Sequence, residues 1–221
     1  MKKLLLASAA CALVASAGYA QEVKLGILVG FTGPIESLAV GEMVLTKDNG
    51  LQPILWIGKR ALNSIDLAFN PNLRPIRLMA GSLGADLPNQ DLRVSPQHRM
   101  LVRSGIAQRM FGVKEVLVAA KSLVAVPGIA PVLTDAPVCY VHILFDAHQV
   151  IYANGAPSES LYTGSQALKS VPAQAQQEIF ALFPELRAAD HIPQSAALIP
   201  KGQRQRGLVA RHVKNCRALV S

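Results

Sequence analysis

Leu92-Arg93-Val94-Ser95-Pro96-Gln97-His98-Arg99-Met100-Leu101-Val102 is the stretch on which the fold turns. Apolar residues alternate with polar ones on both sides of its centre: Leu92 and Val94 before it, Met100 and Val102 after it. A period of two predicts short strands. Pro96 removes one ladder N–H and so marks a turn or a strand end. Ser95 and His98 are then held together at a bend between two strands, presenting a hydroxyl and an imidazole to one place. By spacing alone such a pair reads as a turn serine and a surface histidine, because Ser-x-x-His is a common string.

The same pattern continues outward. Runs at Met43–Thr46, Gln52–Ile57, Pro75–Ala80, Glu115–Ala119, Val138–Asp146 and Val150–Tyr152 are short and split by turns. Asn49-Gly50 between apolar runs is a strong hairpin signal, since both residue types tolerate positive φ. Many short strands and frequent turns predict an all-β body from about residue 34 to 155. Helix is expected only over 158–186 and in the tail. Ser165–Lys169 and Ala173–Phe183 are rich in helix formers, Ile179, Leu182 and Phe183 recur at helical spacing, and Pro184 ends the run. Residues 187–207 are rich in Pro, Gln and Ala and read as a linker. Leu208–Val220 reads as a small basic amphipathic helix or a solvated tail.

Residues 1–20 read as a secretory signal: Lys2 and Lys3, an uncharged run from Leu4, then small residues at Gly18-Tyr19-Ala20. The uncharged run is short for a membrane span, so an exported, soluble chain is expected. The formal charge is +8 over 221 residues. The body from 21 to 200 is balanced, with 14 basic and 14 acidic residues. Lys201, Arg204, Arg206, Arg211, Lys214 and Arg217 follow with no acidic side chain among them. Contact with an anionic surface through these six is the partner expectation; nucleic acid, a transmembrane segment and a cofactor are not expected, and a monomer is. Of Cys11, Cys139 and Cys216, the first lies in the signal and the other two make no framework; Cys139, in an apolar run, reads as a buried thiol.

Four ordered stretches carry a resemblance to a known family. Ile35-Glu-Ser-Leu-Ala-Val-Gly-Glu-Met-Val-Leu-Thr46 resembles V-E-x-L-x-x-G-D-x-V-L-T, and Gln52-Pro-Ile-Leu-Trp-Ile-Gly58 resembles Q-P-V-R-W-I-G. Ser95-Pro-Gln-His-Arg-Met-Leu-Val102 is similar to the T/S-x-x-H motif, and Tyr140–His148 through Ala153-Asn-Gly155 to a closing F-D-x-H…A-N/D-G segment. The family is Hint, the hedgehog and intein self-processing domains, and the likeness spans about 34–186. It implies a horseshoe of strands. It also implies that His98 protonates the leaving amide, that Ser95 holds the scissile peptide, that His148 is the second histidine, and that His142 stands where the family has an acid. Asp146, two residues before His148, would face the same side of a strand and orient its ring. Each has an ordinary alternative: His142 and His148 as satisfied sheet histidines, Asp146 as a turn cap. A zinc site from Cys139, His142 and His148 fits no closed spacing, and alternation puts Cys139 and His142 on opposite faces.

Residues 21–38 depart from that family. Gln21–Leu38 resembles instead the first strand and turn of a periplasmic branched-chain amino-acid binding protein, and the two likenesses overlap at Gly33–Leu38. A fusion in the shared string explains both. Counting back from the motif at Ile35, the Cys or Ser that opens a Hint domain should fall near Tyr19, yet neither type occurs from Ala17 to Phe31. Cys11 lies too early and Thr32 too late. The His-Asn ending that splicing needs is absent as well. The expectation is an exported Hint-like chain defective in self-cleavage. A binding module for amino acids and a non-enzymatic interaction domain with a basic tail are the alternatives.

Overall fold

The computed structural model describes residues 23–25, 38–133, 136–164, 168, 171–188 and 193–221. The expected signal, the nucleophile position near Tyr19, the turn around Thr32 and most of the run Ser165–Lys169 lie outside the described residues. The strands are β1 (Val23–Leu25), β2 (Met43–Thr46), β3 (Gly50–Pro53), β4 (Trp56–Leu62), β5 (Ile76–Leu78), β6 (Leu92–Val94), β7 (Arg99–Arg103), β8 (Glu115–Ala119), β9 (Ile129–Pro131), β10 (Val138–Leu144), β11 (Val150–Ala153) and β12 (Ala156–Glu159). The helices are α1 (Ser64–Phe69), α2 (Gly105–Phe111), α3 (Ala173–Leu182) and α4 (Gly202–Lys214). Three sheets form, in the orders β1-β10-β4, β3-β2-β11-β12-β7-β8 and β6-β5-β9. Every pairing within them is antiparallel except β1 beside β10. This is the expected all-β architecture with small helical additions. It is not the alternation of parallel strands and helices that an amino-acid binding module needs.

Turn chemistry sets the registers. The hairpin at Asn49-Gly50 forms, but only Gly50 takes a positive φ, +63°. Lys47–Asn49 make the loop and Thr46 faces Gly50, whose missing Cβ permits the left-handed residue that closes it. Asn154 (φ +48°) and Gly155 (φ +76°) both enter the left-handed region, the two-residue turn that matches strand twist. That turn fixes Val150 opposite Glu159.

The run expected over Gln52–Ile57 is two strands. Pro53 ends β3, then the N–H of Ile54 donates to Glu42 O (2.9 Å) in one sheet and that of Leu55 to Leu144 O (2.8 Å) in another. A change of sheet likewise separates β6 from β7, so the Ser95–His98 bend is a corner between sheets.

Helix is not confined to the C-terminal part. Within the body, α1 is started by a capping box, Asn63 Oδ1 accepting from Asp66 N (2.8 Å) and Asp66 Oδ2 from Asn63 N (2.9 Å). Ser104 caps α2 by accepting from Ala107 N (3.1 Å), and Gly112 ends it in the left-handed region. These caps were legible as Asn-x-x-Asp and Ser…Gly, and they outweigh the β pattern around them.

The segment expected as a linker and frayed tail is part of the core. Leu117 N donates to Leu198 O (2.9 Å), and Ala197 and Ile199 pack on Leu101, Leu117 and Val150. Helix α4 starts at Gly202 rather than at Leu208, and Leu208, Val209, Leu219 and Val220 join the main cluster. Gln205 Oε1 accepts from Ala119 N (3.1 Å) and Ser122 Oγ (3.2 Å), and its Nε2 donates to Pro200 O (2.8 Å). His212, 1% exposed, has Nδ1 3.2 Å from Arg217 O and Nε2 3.0 Å from Ser104 Oγ. The carbonyl can only accept, so the ring proton sits on Nδ1 and Nε2 accepts the serine hydroxyl. Cys139 is half-buried rather than buried, and Cys216 is exposed.

A second cluster docks α3 on the body. Ile179 packs with Trp56, Leu144, Leu161, Leu168 and Val171, and Trp56 Nε1 donates to Glu178 Oε2 (2.8 Å). Trp56 is the chain's single tryptophan, so its emission reports this docking. Ile179→Asp should undock α3 and red-shift the fluorescence, because a buried charge without a partner is strongly unfavourable. An unchanged spectrum would mean that α3 does not cover Trp56.

Candidate active site

The Ser95–His98 corner is rigid. His98 N donates to both Ser95 O (3.1 Å) and Ser95 Oγ (3.2 Å). Pro96 O accepts from Lys121 N (3.0 Å) and His98 O from Ala120 N (2.8 Å), which ties the turn to the end of β8. Ser95 therefore shapes the turn, and its hydroxyl proton remains available to a second acceptor. The His98 residue is half-buried, but its Nε2 is enclosed and finds no partner among the described residues. Burial pulls the imidazole down to about 4; the neighbouring Glu159 charge opposes this, and His142, Arg99 and His148 add to it. At neutral pH His98 is an uncharged ring with an unused nitrogen.

Glu159 is the hub of the site and did not stand out in the sequence. Its side chain is 6% exposed. Oε1 accepts from Arg99 N (2.9 Å) and Arg99 Nη1 (3.1 Å), and Oε2 accepts from the same Nη1 (2.8 Å). Burial pushes this carboxyl up, but His148, Arg99 and His98 outweigh it and hold the group below its ordinary value. Arg99 in turn lies over the Tyr162 ring, 5.8 Å from its centroid. The hairpin arithmetic that pairs Val150 with Glu159 places the carboxylate beside the loop carrying His148, so a register count from Asn154-Gly155 would have found it.

His148 sits in the loop after β10, its side chain 2% exposed. Nδ1 accepts from Ala196 N (3.1 Å), so in the neutral ring the proton is on Nε2, which faces Glu159 Oε2 at 3.5 Å. That separation is long for a hydrogen bond, and the contact is an electrostatic one. The ring tilts against Tyr162, centroids 5.0 Å apart.

Asp146 does not orient His148. It is exposed in a bend between β10 and β11, where strand alternation no longer applies, and both imidazole nitrogens face other groups. Asp146 and His148 do line one cavity of about 210 Å³ with Leu144, Phe145, Phe183 and Leu186. His142 is half-buried on β10 opposite Gly58. Burial lowers its pKa, Arg60 lowers it further and Glu159 opposes both.

His148 thus faces a carboxylate already engaged by Arg99, and the charge of that carboxylate also acts on His98 and His142. Imidazoles beside an anchored carboxylate can accept or relay a proton. Among the described residues no set of three His, Cys, Asp or Glu side chains is placed to hold a metal ion.

Comparison with known proteins agrees with the motifs. No curated protein and no solved structure matches the chain. A family model described as the Hint domain matches residues 30–165, a span that contains the Ser95–His98 corner, all three histidines and Glu159. With that match over more than half its length, the chain belongs to the Hint domain family.

Proposed function

We propose that this is an exported Hint-domain protein that does not cleave itself. The observation that carries the proposal is the lack of any Cys or Ser from Ala17 to Phe31, where the attacking residue should stand. Self-cleavage joins a nucleophile's sulfur or oxygen to the preceding carbonyl carbon while the C–N bond breaks and the nitrogen takes a proton. A well-placed intramolecular nucleophile is worth about 7–11 kcal/mol of barrier. Acid assistance contributes only about 10²–10⁴-fold, too little alone to break a peptide bond on a biological timescale. His98 is also a poor acid as it stands: with its pKa near 4, roughly one ring in a thousand carries a proton at pH 7. In this reading His98, His142, His148 and Ser95 are what remains of a processing site, with the Glu159–Arg99 pair beside His148.

The exported protein, incubated with dithiothreitol or hydroxylamine, should keep its intact mass, because neither reagent has a thioester or ester to intercept. A product cut between residues 21 and 40 that His98→Ala abolishes would overturn the proposal and assign the attack to Thr32 or another group.

A further inference from the structure

We propose that the outward face of α4 docks the protein on an anionic lipid surface. The inference is independent of the Ser95–His98 site. Helix α4 cannot insert into a bilayer by its apolar side, because Leu208, Val209, Gln205 and His212 are buried in the protein's own core. What it presents outward is cationic. Lys201, Arg204, Arg206, Arg211, Lys214 and Arg217 are all exposed, and no acidic side chain occurs after Asp190. Of the acids on neighbouring elements, Glu115 is engaged by Lys47 (2.9 Å), and Asp86 is exposed in the loop after Leu83, whose carbonyl accepts from Leu219 N and Val220 N. Arg109, exposed on α2, the helix against which α4 packs, adds to the cationic face.

The face is also rigid, which a solvated tail would not be. Arg204 donates to Met110 O (2.6 Å) and lies over the Phe111 ring, 4.6 Å from its centroid. The buried His212 and Gln205 networks hold the rest of the helix. Thirteen residues at 1.5 Å each spread the cations over about 20 Å. Arg204 and Arg211 lie on one flank of the helix, Arg206 on the other and Lys214 between them, so a small anion would touch one or two cations whereas long side chains from both flanks can reach an extended charged surface. Val213, 40% exposed, lies on the same helix stripe as Arg206, and Val113, 41% exposed, follows α2. Apolar tips among cations gain from a lipid interface and gain nothing from a soluble polyanion. Among the described residues no helix is long and apolar enough to cross a membrane, so the contact is adsorption.

Sedimentation of the exported protein with vesicles tests this. It should bind vesicles containing phosphatidylglycerol, fail to bind pure phosphatidylcholine, and come off at high salt. The triple variant Arg206→Gln/Arg211→Gln/Lys214→Gln, whose side chains anchor nothing in the core, should melt like the parent and bind on the order of 100-fold more weakly. Equal binding to both vesicle types, no binding to either, or unchanged binding by the triple variant would overturn the proposal. So would tight binding to duplex DNA that anionic vesicles cannot displace, which would assign the face to nucleic acid.

Discussion

Glu159→Ala should destabilise the protein by about 3–5 kcal/mol, the usual cost of removing one partner of a buried ion pair. The substitution leaves the Arg99 backbone N–H and guanidinium without their acceptor and His148 without the charge it faces. Those groups are 23% and 2% exposed, so water cannot fully replace the carboxylate. Glu159→Gln should recover part of the loss. Its amide oxygen can still accept from Arg99 N, but its NH₂ would meet the guanidinium donor to donor. Urea unfolding of the two variants gives the comparison. A loss below about 1 kcal/mol for alanine, with an unchanged denaturant slope, would show that Arg99 and His148 find other partners and that Glu159 is not the hub.

Stability should also fall by about 3 kcal/mol as the pH drops from 6.5 to 4, through His98 alone. The sign follows from where the proton binds. In the unfolded chain His98 titrates near 6.5, while in the folded protein burial holds it near 4. Between those values the unfolded state takes up a proton that the folded state refuses, so acid favours unfolding, and below about 4 the effect of this group is complete. His142, lowered chiefly by burial, acts in the same direction. Glu159 extends the loss to lower pH: its depressed folded pKa stabilises the protein above the ordinary carboxylate range and ceases to as the pH falls through the folded value. Denaturant midpoints at several pH values should slope down across this window, and His98→Gln should flatten the upper part. A flat profile in the parent would mean that the His98 ring takes its proton inside the fold. That would restore it as a competent acid and weaken the case against self-cleavage.

What the sequence determined by itself was local. Period-two runs, the Asn49-Gly50 turn and the Pro96 corner depend on φ preferences and on side chains a few residues apart, and they are where the chain's order placed them. The same kind of signal, the Asn63 and Ser104 caps, was present for the two body helices. The four motifs were enough for the family, because motif order is a property of the chain. Tertiary structure decided the rest. Met100, Leu101 and Val102 are all buried, although alternation implies one wet face on β7. The second face is covered by Ala197 and Ile199, from a segment whose composition reads as linker. Glu159, an ordinary charged residue in a hairpin, became the centre of the site only when β12 laid it beside β7 and the His148 loop. The protonation of His98 belongs to the fold as well: the same imidazole is half charged near pH 6.5 in an open chain and uncharged at that pH inside this one. Composition and spacing carry torsional preference, which acts over a few residues. Burial and the charges of distant neighbours depend on what the whole chain brings together, and those two quantities set both the electrostatics of the site and the place of the C-terminal helix.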